Sequence, residues 1–426
     1  MTPQPSTAYL DALYATTARR VATAEPLSSP HGGAPEAVTA ALAAAVTRDL
    51  PELVALSHDV HDHPEVAYEE HHAVAAVAEL LRRHGHRVEV GAYGIPTALR
   101  ATAGGGDGPR VAVVAKYDAL PGIGHACGHN VICASAVGAW LALAEQVGTL
   151  GGTVELLGTP AEEGGGGKVH MLAAGAFDGV DAAVMVHPFS YDVATHPFLG
   201  RRAVDVTYHG VAAHAAAMPF MGRNALDAAV TAYQGVAALR QHLPSSDRVH
   251  GIVTDGGHRP NVVPARAALQ YYARSAGQAT LDDLCNRLHE VFLAAAGATG
   301  TTAEVDWDPV PPYLPITHNH TLAARWAHHL GDRGRTVLPD GVVPETLVAS
   351  TDFGNVSAQV PGIHPMLAVA PPEVSLHTEE FARCARGSEG DRGVADGAVG
   401  LACTVADFLA DAELRAAVRA EFDGDA

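Results

Sequence analysis

The N-terminal part of the chain alternates between long and short apolar stretches. Long stretches rich in Ala, Leu and Val predict helices at 35–56, 70–84 and 131–146. Pro51 should break or kink the first of them. Short stretches predict strands at 87–90, 97–102, 111–115, 153–157 and 182–186, and the wholly apolar run 111–115 is typical of a strand buried on both faces. Strands that alternate with helices predict the α/β class, a sheet covered by helices.

The pattern changes between residues 200 and 307. This segment holds two strand-like and two helical stretches, at 204–209, 225–239, 268–274 and 281–296. Such a content predicts a small α+β unit. The chain then returns to the first pattern and closes with a helix around 393–410 and a polar tail. We therefore predict an α/β domain formed by residues 1–199 and 308–426, interrupted by an insert, 200–307.

The distribution of charge supports this division. The 426 residues carry a formal net charge of −20, yet segment 200–307 holds nine arginines, no lysine and nine acidic residues, and is neutral. A chain this acidic is typical of neither a nucleic-acid-binding nor a polybasic membrane protein, so neither kind of partner is expected. Hydrophobic residues make up 48% of the chain, which excludes global disorder.

Apolar runs and cysteines indicate the compartment. The best apolar run, 131–144, has about 14 residues and is too short to span a bilayer. Residues 1–26 show no export signal. Five cysteines are an odd number in a large chain, which argues against a disulfide framework and fits a reducing compartment. We therefore expect a cytoplasmic protein without a membrane span.

Potential metal ligands follow predicted strands or stand in glycine-rich loops. They lie in GHACGHN at 124–130, TPAEEG at 159–164, after the strand 182–186 and in LHTEE at 376–380, and are Cys127, His129, Glu162, Glu163, His187 and His377. Loops at the carboxyl ends of strands line the ligand crevice of such sheets. One thiolate, three imidazoles and one carboxylate suit zinc or a similar divalent ion. Five ligands exceed one tetrahedral site and indicate two ions.

The two adjacent glutamates can divide the chemistry. Side chains of Glu162 and Glu163 should diverge, so that one binds metal while the other accepts a proton from water. Taken singly, each motif has a simpler explanation, because a Cys-x-His pair is more often structural and a Glu-Glu pair is usually solvated. The glycine run 164–167 is not a phosphate loop, since Lys168 is not followed by Ser or Thr. The joint occurrence of the motifs favours the metal site.

Further motifs extend the pattern over most of the chain. They are HDVHDHPE (58–65), KYDALPGIGHACGHN (116–130), GTPAEEG (158–164), AHAAAMP (213–219), PNVVP (260–264) and STDFGNVS (350–357). Together they resemble the M20 family of metal-dependent amidohydrolases and peptidases, in particular its aminobenzoyl-glutamate hydrolase, acylamino-acid hydrolase and dipeptidase branch. The resemblance covers roughly residues 46–409, and the Cys-Gly-His and Glu-Glu motifs carry most of its specificity.

The resemblance implies a zinc-peptidase-like catalytic domain, 1–199 with 308–426, and a lid, 200–307, that also forms a homodimer. It implies two divalent ions in each protomer, zinc by their donors although manganese or cobalt also fit. The implied ligands are Cys127, His129, Glu163, His187 and His377. Glu162 is then the general base and acid.

The resemblance also assigns residues around the ligands. His214 of the lid would reach the scissile carbonyl across the dimer. Asn261 and Arg274 would hold a substrate carboxylate, although a surface salt bridge is an equal alternative for Arg274. Asp118 and His125 would stand behind the ligands. The histidines of the first motif, His58, His61 and His63, look like ligands but are expected to be structural, and Asn130 replaces the Asp found in much of the related branch.

The resulting functional hypothesis is hydrolysis of an amide bond in a small N-acyl amino acid or related amide that carries a carboxylate. Cleavage of dipeptides is the alternative within the same chemistry. Acyl transfer and metal binding without catalysis are the alternatives outside it. The complete ligand set and the intact Glu162 argue against a protein that has lost catalysis.

Overall fold

The computed structural model describes residues 5–344 and 349–424, which form two compact units. Described residues of the first unit are 5–197, 317–344 and 355–424. Those of the second unit are 198–316 and 349–354. The second unit thus contains the predicted insert, 200–307, together with the proline-bearing stretch that follows it and a short segment from later in the chain.

The helices are α1 (Ala8–Thr23), α2 (Glu36–Asp62), α3 (His71–Arg83), α4 (His129–Leu150), α5 (Gly167–Ala173), α6 (Ala225–Leu239), α7 (Gln278–Thr299), α8 (His320–Asp332), α9 (Phe353–Ser357), α10 (Glu379–Arg386), α11 (Ser388–Ala410) and α12 (Ala412–Asp423). The strands are β1 (Val88–Val90), β2 (Leu99–Gly104), β3 (Arg110–Lys116), β4 (Thr153–Thr159), β5 (Ala182–Val184), β6 (His187–Phe189), β7 (Gly200–His209), β8 (Arg248–Asp255), β9 (Arg266–Ser275), β10 (Thr302–Trp307), β11 (Gly362–Ile363) and β12 (Met366–Ala368).

The first unit is built on a mixed six-stranded sheet in the order β1-β2-β4-β3-β5-β11. The neighbours β1, β2 and β4 are antiparallel, whereas β4, β3, β5 and β11 are parallel. Six of the seven residues of β3 are buried, as the apolar run predicts. Helices α2, α4 and α11 pack together in the core of this unit. The predicted class, a mixed sheet flanked by helices, is confirmed.

Two local predictions are corrected. Pro51 does not break α2, which runs from Glu36 to Asp62. The proline costs the helix about 3 kcal/mol, but burial of each large apolar side chain, such as Leu42 and Leu53, returns about 1.5–3 kcal/mol. The predicted polar tail folds as α12, whose N-terminus is capped by the Asp411 carboxylate. Only two apolar side chains of α12 are buried, which is a weak signal in the sequence.

Helices α4 and α11 are long and apolar enough, by length and composition, to cross a membrane. This corrects the expectation, drawn from uninterrupted apolar runs, that nothing in the chain approaches a span. The two helices pack against each other in the core of the first unit, and 78% of the apolar window of α4 and 94% of that of α11 are buried. A helix that packs on all sides is apolar all round, so burial within the protein accounts for their composition.

The second unit is a four-stranded antiparallel sheet in the order β10-β7-β9-β8 with α6 and α7 packed on it. Its core contains the buried rings of Tyr208, Tyr271 and Phe292. Strand β8 is at the edge of this sheet, and Ile252 and Val253 in it are exposed. The unit therefore has the predicted α+β content, with β8 and β10 added to the two predicted strands.

A buried carboxylate holds the loop that follows β4. Glu70 Oε1 accepts hydrogen bonds from the main-chain N–H of Ala161 at 2.8 Å and of Tyr68 at 3.0 Å. The Tyr68 hydroxyl donates to the main-chain oxygen of Gly165 at 2.7 Å. Tyr68 and Ala161 have positive φ values of 65° and 57°, which cost energy in residues with a Cβ. Burial, followed by the like charge of Asp118, raises the pKa of Glu70 to about 7.

The Glu70→Gln variant should not show the loss of stability that the ionisation of Glu70 causes in the wild type near neutral pH. In the unfolded chain this carboxyl ionises near 4.5, whereas the folded protein keeps its proton up to about 7. The wild type therefore loses stability as pH rises between these values, by at most about 3 kcal/mol, whereas the neutral amide does not. Between about pH 5 and about pH 8, the melting temperature of Glu70→Gln should rise relative to that of the wild type.

The matched control for this prediction is Glu69→Gln, at the exposed neighbouring position, whose melting temperature should follow that of the wild type. A difference between Glu70→Gln and the wild type that stays constant over this pH range would contradict the prediction.

Candidate metal centre

The Cys127 and His129 side chains are placed by a glycine between them. Gly128 has a φ of 71° and precedes α4 directly. A Cβ on Gly128 would lie 2.8 Å from the Cβ and Cγ of Pro188, the residue after His187. Only glycine combines this backbone conformation with this close approach. The tight turn therefore packs Cys127 and His129 against β6, the strand that carries His187.

The five predicted ligands come together in the first unit. Ligand atoms of Cys127, His129 and Glu163 all lie within 4.8 Å of one another. His377 Nε2 is 3.9 Å from Glu163 Oε1, and the main-chain N–H of His377 donates to the oxygen of Ala126 at 3.0 Å. The His187 ring stands at 90° to that of His129, with 5.9 Å between the ring centroids.

The residues fit a divalent metal ion. His129 Nε2 and Glu163 Oε1 are buried, are 3.8 Å apart and have no hydrogen-bond partner among the described residues. Leaving such atoms unpaired costs about 1–3 kcal/mol each. The Cys127 thiol beside them has its pKa raised by burial and by the Glu163 carboxylate. The thiol is hydrogen-bonded to the Glu163 side chain. An imidazole nitrogen, a carboxylate and a thiol that converge in this way are a donor set suited to zinc and similar ions.

Asp118 contacts two of the predicted ligands. His129 Nδ1 is 3.1 Å from Asp118 Oδ1 and 2.7 Å from its main-chain oxygen. Asp118 Oδ2 accepts the main-chain N–H of Glu163 at 2.7 Å. Burial would raise the pKa of Asp118, but the neighbouring His129 outweighs it and lowers the pKa. A proton on His129 Nδ1, shared with Asp118, leaves the lone pair of Nε2 for a metal.

The His187 ring is oriented in the same way. Its Nδ1 lies 2.7 Å from the main-chain oxygen of Pro188, so that this nitrogen carries the proton. His125 acts through its backbone, since its main-chain oxygen accepts the N–H of Gly128 at 3.0 Å. Burial and the neighbouring His129 lower the pKa of the His125 side chain to about 3, which keeps it neutral. His125 thus shapes the Cys127–His129 turn.

The side chains of Glu162 and Glu163, which were expected to diverge, both approach His129. Glu162 Oε2 and Glu163 Oε1 each lie 3.8 Å from His129 Nε2, so both carboxylates face the same nitrogen. The other Glu162 oxygen, Oε1, pairs with the ammonium of Lys116 at 3.0 Å. Burial would raise the pKa of Glu162, but Lys116 and then His129 lower it well below its usual range. Glu162 is therefore held as a carboxylate beside the ligands.

Sequence reasoning missed Lys116, Glu70 and His364. Lys116 is fully buried at the end of β3, and the carboxylates of Glu162 and Asp118 raise its pKa although burial opposes this. His364 is buried beside His187, with 5.4 Å between the rings. The available signal for Lys116 was its position at the end of an apolar run, two residues before Asp118. Nothing local in the sequence marks Glu70 or His364.

The remaining predicted residues belong to the second unit. His214 Nδ1 accepts the main-chain N–H of Ala216 and Ala217 at 3.3 and 3.2 Å, which leaves its Nε2 as a proton donor. The main-chain oxygen of Asn261 accepts the N–H of Ala215 at 3.0 Å, so Asn261 is beside His214. Arg274 is on β9, where its guanidinium donates to the hydroxyl of Ser350 at 2.8 Å. No salt bridge of Arg274 is found among the residues that the structure describes.

Comparison with known proteins identifies the family. The model of peptidase family M20/M25/M40 matches residues 112–388. The chain is 36% identical over 383 residues to Xaa-Arg dipeptidase of Mus musculus, covering 87% of this chain and 88% of that protein. It is 30% identical over 448 residues to one of the subunits of p-aminobenzoyl-glutamate hydrolase of Escherichia coli (strain K12), covering 87% of this chain and 92% of that protein.

A solved structure shows the same fold. A dinuclear metal-binding peptidase of the M20 family from Bacillus subtilis matches with a TM-score of 0.65 and 20% identity, over 84% of this chain and 99% of that one. The resemblance inferred from the motifs is thus confirmed by the family model, by the curated relatives and by the fold. The chain belongs to peptidase family M20/M25/M40 and is a metal-dependent hydrolase of amide or peptide bonds.

Proposed function

We propose that the chain hydrolyses the amide bond of a small N-acyl amino acid or related amide that carries a carboxylate. The observation that carries this proposal is the convergence of Cys127, His129 and Glu163 beside a Glu162 carboxylate held by Lys116. Dipeptide cleavage is the second candidate, and the 36% identity to an Xaa-Arg dipeptidase over most of the chain favours it.

We propose two divalent ions in the centre, held by Cys127, His129, Glu163, His187 and His377. The thiolate and imidazoles favour zinc, and manganese or cobalt could take the same ligands. When bound there, such ions supply Lewis-acid polarisation of a carbonyl oxygen and a lowered pKa of water. The similarity in fold to a dinuclear M20 peptidase supports the number of ions.

The protein's own groups then have distinct tasks. Glu162 accepts the proton of the attacking water with the oxygen that does not contact Lys116, and passes it to the leaving amine. Lys116 fixes the orientation of that carboxylate and keeps it ionised. Asp118 keeps the His129 ring and the Glu163 main chain in place.

Groups of the second unit would contact the substrate. The Nε2 of His214 would donate to the oxyanion that develops at the carbonyl of a substrate bound by the partner protomer. Asn261 and Arg274 would hold the substrate carboxylate, for which a guanidinium offers two parallel donors. The orphaned, buried Nε of Arg274 supports an additional acceptor at this side chain.

A homodimer formed through the second unit is part of the proposal. Strand β8 is an edge strand whose outward side chains include Ile252 and Val253, and the neighbouring α6 exposes Val230 and Tyr233. An unpaired edge with apolar side chains favours pairing with a second copy. The five cysteines are free, which fits the proposed cytoplasmic location.

Glu162→Gln tests the general base. The amide cannot accept a proton but has nearly the same shape, so turnover should fall by about 10²–10⁴-fold. Metal content, measured by mass spectrometry after desalting, should stay at the wild-type value. Glu163→Gln is the matched control, in which the metal content should fall together with turnover. Wild-type turnover in Glu162→Gln would exclude its role as the base.

A substrate panel separates the two candidate activities. Zinc- or manganese-loaded protein is incubated with N-acyl amino acids and with dipeptides that carry the same C-terminal residue, and amine release is measured. Because both classes present the same carboxylate, their kcat/KM ratio reports the choice of acyl part. Faster cleavage of dipeptides throughout the panel would favour the dipeptidase. Absence of amine release from every member would contradict both candidates.

Val253→Lys tests the dimer edge. A lysine in the middle of β8 places charge on the pairing edge and should convert the dimer to a monomer. Light scattering coupled to gel filtration should show twice the chain mass of 43.9 kDa for the wild type and the single mass for the variant. The control is Val66→Lys, at a valine of the first unit with similar exposure, and this variant should remain dimeric. A dimeric Val253→Lys variant would show that this edge is not the interface.

A further inference from the structure

A second group of potential metal ligands lies outside the catalytic centre, on the surface of the first unit. Asp59, His63 and His72 bring one oxygen and two ring nitrogens within 4.8 Å of one another. His72 Nε2 is 2.9 Å from Asp59 Oδ2, and His63 Nδ1 is 3.2 Å from Asp59 Oδ1. The two rings have centroids 4.2 Å apart. One carboxylate is thus flanked by two imidazoles.

The backbone fixes the three positions independently of these contacts. Asp59 is in the last turn of α2, His63 caps the end of that helix and His72 is in the first turn of α3. The Glu65 carboxylate accepts the main-chain N–H of His72 at 2.8 Å and of Ala73 at 3.0 Å, which ties the segment between the helices to the start of α3. The ligand atoms therefore converge because two helix ends are held together.

The other histidines of the same motif are already engaged. His58 Nε2 lies 2.7 Å from the Asp391 carboxylate, and His61 Nε2 lies 2.9 Å from the main-chain oxygen of Ala382. These two are structural, as expected. His63 was expected to be structural as well, but its partners are Asp59 and His72, and more than half of its side chain is exposed.

The donor set has the chemistry of a transition-metal site. Two imidazole nitrogens and one carboxylate oxygen suit zinc, nickel, cobalt or copper, and they suit magnesium and calcium poorly. The side chains are 40–56% exposed, so water can complete the coordination. His63 Nδ1 also lies 2.8 Å from the main-chain oxygen of Asp59, a contact that an ion bound at this nitrogen would replace.

A similar group elsewhere lacks this freedom. His328, His329 and Asp332 also lie close together, but His329 is buried with its Nε2 2.6 Å from the Asp407 carboxylate. A ring nitrogen that is committed to a buried hydrogen bond with a carboxylate is not available to a metal unless that bond is broken. The group around His329 is therefore a close set of polar residues in which His329 is already committed, whereas the group around Asp59 is open to an ion.

We propose that Asp59, His63 and His72 form a transition-metal site that is separate from the catalytic centre and takes a zinc-like divalent ion. An ion bound there joins α2 to α3 and closes the segment 63–72 at both ends. That segment carries Glu70, whose carboxylate holds Ala161 next to Glu162. The ion is therefore a brace for the part of the chain that supports the candidate base, and it takes no part in the reaction.

Zinc content distinguishes this site from the centre. Full-length wild type and His72→Ala are dialysed against the same zinc solution at a roughly micromolar free concentration, which weakly held surface sites of this kind require. Bound zinc per chain is then measured by mass spectrometry. We expect His72→Ala to hold one ion fewer than the wild type, while the ligands of the catalytic centre are unchanged. Zinc should also raise the melting temperature of the wild type more than that of the variant.

The chain provides a matched control one residue away. His71 is exposed and lies outside the group, so His71→Ala should hold as much zinc as the wild type. His63→Ala removes a second ligand and should lose the same ion as His72→Ala, which guards against a local folding defect in either variant. Equal zinc content in the wild type and both ligand variants would overturn the proposal, as would an equal loss in His71→Ala.

Discussion

The candidate centre depends on one buried carboxylate, that of Asp118. Its oxygens contact the ring of His129 and the main-chain N–H of Glu163, and its main-chain oxygen also faces the His129 ring. It thereby links the end of β3 to the start of α4 and to the loop after β4. Without Asp118, no shared contact would hold the imidazole of His129 and the carboxylate of Glu163 in fixed positions. A metal site needs its donors fixed to a fraction of an ångström.

Burying this carboxylate has consequences for the charges around it. Asp118 and the two adjacent glutamates lie close together, Asp118 and Glu162 are buried, and repulsion among the three carboxylates would favour protonation. The ammonium of Lys116 opposes that tendency at Glu162 and keeps this group ionised. Glu70, which has no cation at comparable distance among the described contacts, shows the opposite shift, to about 7. The loop after β4 is therefore contacted by one carboxyl group, Glu70, that favours its protonated form, and contains another, Glu162, that is held ionised.

Much of this could be predicted from the sequence, because the signals were local. A continuous apolar run indicated β3 and a short strand-like stretch indicated β4. The Cys-Gly-His and Glu-Glu motifs indicated candidate ligands near the ends of strands. Other features had no local signal. His63 meets His72 only because the start of α3 lies beside the end of α2. Glu70 meets Ala161 only because its segment lies against the loop after β4. The break expected at Pro51 does not occur, because tertiary burial outweighs a local helix preference.

The sequence by itself determined the family, the α/β class and the neutral insert, and it singled out the candidate metal-binding side chains, since each follows from residue type and spacing along the chain. Only the tertiary structure decided which groups share a site. It placed Lys116 against Glu162, turned both adjacent glutamates towards His129 and left the pair His63 and His72 around Asp59. The reason is physical: periodicity fixes the face on which a side chain lies, whereas hydrogen bonding and pKa depend on distances between atoms far apart in sequence.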